Sequence, residues 1–114
     1  PAKPFPPVST SLLEEGRTLA TTFDADAKRA DALYEEARQA KGRNDETTWQ
    51  TKMREAVRIY DSIKSRWNDF VGRLPTGNGY DVEDVARHYF PRENGVVAKF
   101  TKNLAAVKTD LKLR

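Results

Sequence analysis

The chain contains no cysteine and only one histidine and one methionine. Without cysteine, disulfides, thiolate nucleophiles, iron–sulfur clusters and cysteine-ligated zinc are all excluded. The compartment stays open, because disulfide-free domains occur on either side of a membrane. With His88 as the sole imidazole, no histidine pair exists to ligate a metal. No apolar run approaches the ~20 residues of a membrane span, and no signal peptide is visible. There is no strand-like alternation and no repeat at solenoid periods.

Charge of one sign is also scarce. Twenty Lys and Arg oppose 17 Asp and Glu, a net charge of +3 across 114 residues. Residues 1–48 carry 9 acidic and 7 basic groups, so the front is mildly acidic and the back mildly basic. That surplus is too small to predict nucleic-acid binding by counterion release.

What is present is a polar, helical pattern. Hydrophobic residues make up 38% and charged residues 32%, a balance that suits long amphipathic helices exposing much of their circumference. The length corresponds to one domain. The chain opens "PAKPFPPV", with no methionine and four prolines in its first seven residues. Residues 1–10 therefore read as an extended Pro-rich leader or linker, within a fragment excised from a longer protein. Residues 11–114 read as a single helical domain.

The pattern predicts helix 1 from Ser11, where "SLLE" forms a capping box with Glu14. Gly42 is the expected stop. Its inward positions are Leu12, Leu19, Phe23, Ala27, Ala30, Leu33, Tyr34 and Ala37. A second capping box, Thr47 with Gln50, starts helix 2, which Gly72 and Pro75 end. Asp81 caps a short helix, "VEDVARHYF". Pro91 suits the first turn of helix 3, whose face carries Val97, Phe100, Leu104, Val107 and Leu111. Its last turn is basic, with Lys108, Lys112 and Arg114.

Helix 2 bears an apolar line spelled by Trp49, Met53, Ala56, Tyr60, Ile63, Trp67, Phe70 and Leu74. Folding helix 1 back through "GRNDE" places opposite one another residues whose numbers add to about 90. Large then faces small: Met53 on Ala37, Tyr60 on Ala30, Ile63 on Ala27, Leu74 toward Gly16. Trp67 on Phe23 is the one aromatic pair. Val57, Ile59 and Val71 widen the apolar face and call for a third helix. The expectation is an all-α, antiparallel, up-down-up three-helix bundle with long helices 1 and 2, a short helix before helix 3 and the Pro-rich leader. The coiled-coil-like spacing also allows a homodimer that swaps helix 3.

Within this pattern, "ALYEEARQAKG" followed by "REAVRIYDSI" resembles the Ala/Tyr/Leu pattern of tetratricopeptide helices. The resemblance covers one hairpin, without the 34-residue period of that family, and implies no peptide-binding residues here.

Candidates for chemistry are few. Asp84 precedes His88 by four residues, a spacing that would orient an imidazole for base catalysis, but no nucleophile motif accompanies it. It reads as a charge pair on a helix surface. The carboxylates at Asp24, Asp26, Glu35, Glu36 and Asp81–Asp84 alternate with cations at helical spacing and read as solvated faces. "TGNGYD" lacks the Lys-Ser/Thr of a phosphate loop and the ligand pattern of an EF-hand. Catalytic, metal and cofactor-binding residues are therefore expected to be none, and the chain is read as non-enzymatic. The candidate interaction residues are Trp49, placed at the hairpin tip with few neighbours to cover it, and Asn78 and Tyr80 in the glycine-rich loop. The expected role is a protein–protein interaction or scaffold and spacer module with an unidentified protein partner. The alternative is nucleic-acid or anionic-surface binding through Lys52, Arg54, Arg58, Lys64, Arg66 and Arg73 of helix 2 and the basic helix 3.

Overall fold

In a computed structural model, residues 3–111 are described, and all regular structure among them is helical. Four helices follow in order: α1 (Thr10–Gly42), α2 (Glu46–Val71), α3 (Val82–Tyr89) and α4 (Pro91–Asp110). Lys112 and Arg114, expected to close the last helix, lie outside the described residues, as do Pro1 and Ala2.

The helix starts differ from those expected. α1 is capped by Ser9, whose hydroxyl accepts the Leu12 N–H at 3.2 Å, two residues before Ser11. α2 is capped by Asp45, which accepts the Thr48 N–H at 3.1 Å, rather than by Thr47. A carboxylate at the positive helix end is a stronger cap than a threonine hydroxyl. Gly42 stays helical, and Asn44 takes the left-handed turn at φ 60°. Asparagine tolerates that region better than most residues. The loop is thus only Arg43, Asn44 and Asp45. Asp81 caps α3 in a reciprocal capping box with Asp84, and Pro91 stands in the first turn of α4, where its missing N–H costs no helical bond.

The long helices α1 and α2 make the most extensive contact, and α4 lies mainly on α2. Cross-links between α1 and α2 fix the register. They are Lys52–Glu36 at 3.2 Å, Tyr60 hydroxyl to Asp31 at 3.1 Å, Arg66–Asp26, Arg73–Glu15, and the edge-on Phe23–Trp67 pair at 6.3 Å. Each joins residues whose numbers add to about 90, the antiparallel register of a hairpin. The buried α1 stripe is Gly16, Phe23, Ala27, Ala30, Leu33, Ala37 and Ala40. Tyr34, expected inward, is exposed, and Leu33 one position earlier faces the core. Leu12 and Leu19 are only half-buried.

One layer is all aromatic. Trp67 packs on Phe70 at 5.3 Å, and the fully buried Phe90 stands edge-on to both, at 5.8 and 5.3 Å. Gly16 makes room for it: a Cβ there would lie 2.8 Å from Phe90 Cζ and 2.9 Å from Phe70 Cζ. Those rings lie nearest to Gly16. The Trp67 indole N–H donates to Asn94 Oδ1 at 2.7 Å, so burying this polar edge leaves no donor unpaired. The molecule is a rod, 59 × 25 × 20 Å. No helix among the described residues is long and apolar enough to cross a membrane.

Candidate functional site

Proline has no N–H and a fixed φ, so a proline-rich segment stays extended and offers its surroundings acceptors only. Residues 3–9 form no regular element, but they do not project as a free linker. They cross the Gly77–Tyr80 turn and α3, and Pro6 is buried there.

The turn is built by its own backbone. Asn78 and Gly79 have φ of 56° and 85°, the paired positive values of an Asn-Gly type I′ turn. Tyr80 N–H donates to Gly77 O at 2.9 Å, and Gly77 N–H to Tyr80 O at 3.3 Å. This geometry presents two donors to the leader. Asn78 Nδ2 donates to the Pro4 carbonyl at 2.9 Å, and the Tyr80 hydroxyl to the Lys3 carbonyl at 2.8 Å. α3 adds a third, from the Tyr89 hydroxyl to the Pro6 carbonyl at 2.8 Å. Phe5 is sandwiched between Tyr80 and His88. Both ring centroids lie 3.9 Å from its own, with interplanar angles of 12° and 4°. Such stacked faces add to ordinary apolar burial.

The structure therefore brings Asn78 and Tyr80 together, on the chain's own leader. It places Trp49 elsewhere, at the α1–α2 hairpin end. Trp49 is not an uncovered side chain: it is 8% exposed, and Lys41 Nζ sits 4.5 Å above its ring. Trp49, expected to have few neighbours to cover it, is thus buried, as is Trp67. His88 does not pair with Asp84. The Asp84 carboxylate accepts the Asp81 N–H at 3.0 Å and the Arg87 guanidinium at 2.7 Å. These bonds, the Asp81 amide first, hold its carboxyl below the usual value. His88 instead spends its ring face on Phe5.

Phe5, Tyr89 and Phe90 are participants that the sequence pattern did not single out. A signal existed in the aromatic flanked by prolines in "KPFPP" and the aromatic triplet "HYF". Nothing local says that two segments some 80 residues apart meet.

The basic residues are partly spoken for. Lys52, Arg66, Arg73 and Lys108 each face a carboxylate, from Glu36, Asp26, Glu15 and Asp61. Arg54, Arg58 and Lys64 are exposed. Among the described residues no three His, Cys, Asp or Glu side chains converge to hold a metal. A second polar spot lies where the buried Tyr60 phenol meets Asp31. Burial, then the Asp31 charge, pushes this phenol up to about 12, so it stays neutral at any physiological pH. Comparison of the chain with protein-family models, with curated proteins and with solved structures finds no match.

Proposed function

We propose that this chain is a non-enzymatic protein interaction and scaffold module. In this reading α1, α2 and α4 act as an antiparallel three-helix bundle that serves as a rigid spacer, and the leader end is its docking face. One observation carries it. Asn78, Tyr80, His88 and Tyr89 all meet the backbone carbonyls or the ring of residues 3–6. Aromatic walls combined with donors to main-chain carbonyls are also the means by which proline-rich peptides are recognised. His88, the one candidate base, is stacked rather than set beside a nucleophile. The carboxylates beside Lys52, Arg66, Arg73 and Lys108 damp the local positive field, which favours this reading over nucleic-acid or anionic-surface binding.

Affinity capture with the intact chain, followed by reconstitution of the captured complex from purified components, tests the proposal. A saturable complex is expected, with no retention on DNA or RNA at low salt, where electrostatic binding is strongest. Failure to reconstitute any complex, together with a turnover activity abolished by His88→Ala, would overturn it.

A further inference from the structure

The clamp over the leader is built on a frame closed by bonds that do not involve the leader. The Gly77–Tyr80 turn is closed by its own two backbone bonds, and α3 by the reciprocal Asp81–Asp84 capping box. Phe90, the junction residue between α3 and α4, is locked in the aromatic layer against Trp67 and Phe70. The leader half sits outside this frame, with Lys3, Pro4 and Pro7 exposed and Phe5 half-buried. Phe5 and Val8 pack on the core from this side, while the Trp67, Phe70 and Phe90 rings are held by their contacts with one another.

The recognition is also nearly blind to sequence, except at two points. Three donors meet the carbonyls of Lys3, Pro4 and Pro6, and every residue has such a carbonyl. A polyproline helix presents its carbonyls to the surroundings with no internal partner. The selective points are the parallel-walled slot between Tyr80 and His88, which takes a flat ring, and the buried seat of Pro6 beside Gly77. There a Cβ on Gly77 would meet Pro6 Cγ at an ordinary contact distance of 3.6 Å.

We infer that this slot is a binding site for an extended Pro-aromatic-Pro segment of a partner protein, and that residues 3–7 are its exchangeable occupant in cis. The inference rests on the interaction-module reading and names the partner's chemistry: an aromatic residue flanked by prolines, in polyproline conformation, bound through its carbonyls and one ring. The tethered leader competes at an effective concentration in the millimolar range. It therefore masks the slot and sets a threshold that a partner segment must exceed.

The single histidine gives a clean readout, because the His88 ring protons are the only imidazole signals of the chain and lie in the shielding cone of Phe5. In the full chain carrying Phe5→Ala, these proton resonances are expected to move downfield while the helical circular dichroism is retained. Titration with the peptide Lys-Pro-Phe-Pro-Pro-Val should return them upfield, saturably. Its affinity should exceed that for the unsubstituted chain by at least about tenfold. The same peptide with alanine for phenylalanine should not restore the shift. Adding Tyr80→Phe, which keeps the ring and removes one donor, should weaken peptide binding by about three- to tenfold.

A folded Phe5→Ala chain whose His88 signals ignore millimolar peptide would overturn the inference. So would concentration-dependent dimerisation of the intact chain in place of peptide binding, since the slot would then belong to a second copy. A reconstituted complex that is neither strengthened by Phe5→Ala nor weakened by Tyr80→Phe would remove this slot from the docking face and leave the module reading standing.

Discussion

The two ends of the rod are closed by different means. At the hairpin end Trp49, Lys41, Ala40 and the Asp45 cap lie within ten residues of one another in the chain. At the other end, Gly16 of α1, Trp67 and Phe70 of α2, and Phe90 between α3 and α4 must meet from across the sequence. The first closure is assembled as soon as the hairpin turns. The second forms only when every element is in place, so its contacts are the ones most coupled to the complete fold.

This contrast can be broken at Phe90. Phe90→Ala removes the ring that three elements share, and a loss of about 3–5 kcal/mol is expected in chemical denaturation. Tyr60 is next. Its folded phenol titrates near 12 against an ordinary 10.0, so folding favours the protonated form. That contribution is fully present below pH 10.0 and is lost as pH rises toward about 12. A fall on the order of 2 kcal/mol across this window is expected, and Tyr60→Phe should flatten it.

The mid-helix glycines sharpen the comparison, because one residue type has opposite expectations. Gly16→Ala drives a Cβ into the rings of Phe70 and Phe90. A net loss of about 1–2 kcal/mol is expected even after the gain in helix propensity. Gly95 has nothing within 4 Å of a built Cβ, so Gly95→Ala should stabilise by up to about 1 kcal/mol. Thermal melts of the two variants would decide it, and equal signs would contradict the packing described at Phe90. The smallest effect belongs to the hairpin end. Lys41→Ala should cost about 0.5–1 kcal/mol through loss of the cation–π contact, and native Trp49 emission should then shift to the red.

The antiparallel α1–α2 register was legible because large residues on α2 recur where α1 offers alanine, and the ion pairs and the Phe23–Trp67 contact follow that numbering. Caps were legible only in kind. Ser9 and Asp45 compete with Ser11 and Thr47 a residue or two away, and local propensity alone does not rank such neighbours. Tyr34 and Leu33 show the same limit around the circumference. Both are apolar enough to face inward, and the helix rotation that selects Leu33 is set by the partner helix. Trp49 was read as thinly covered because few residues remain beyond the hairpin tip to cover it. It is nonetheless buried, with the Lys41 ammonium of the facing helix over its ring.

The candidate site divides in the same way. Asn78-Gly79 announced a turn, since few other dipeptides tolerate two positive φ values in succession. That the turn would hold Lys3 and Pro4, and that Phe5 would enter between Tyr80 and His88, involves separations of 74 to 83 residues, which no local pattern encodes.

By itself, the sequence determined that this protein is helical, where its chain turns, and which stripe of α2 must be covered. Apolar period, caps and glycine turns act over a few residues. Only the tertiary structure decided what the leader does and why Gly16 is a glycine. Both depend on rings brought together from distant segments, where the fit of volumes, rather than the preference of any one residue, selects the arrangement.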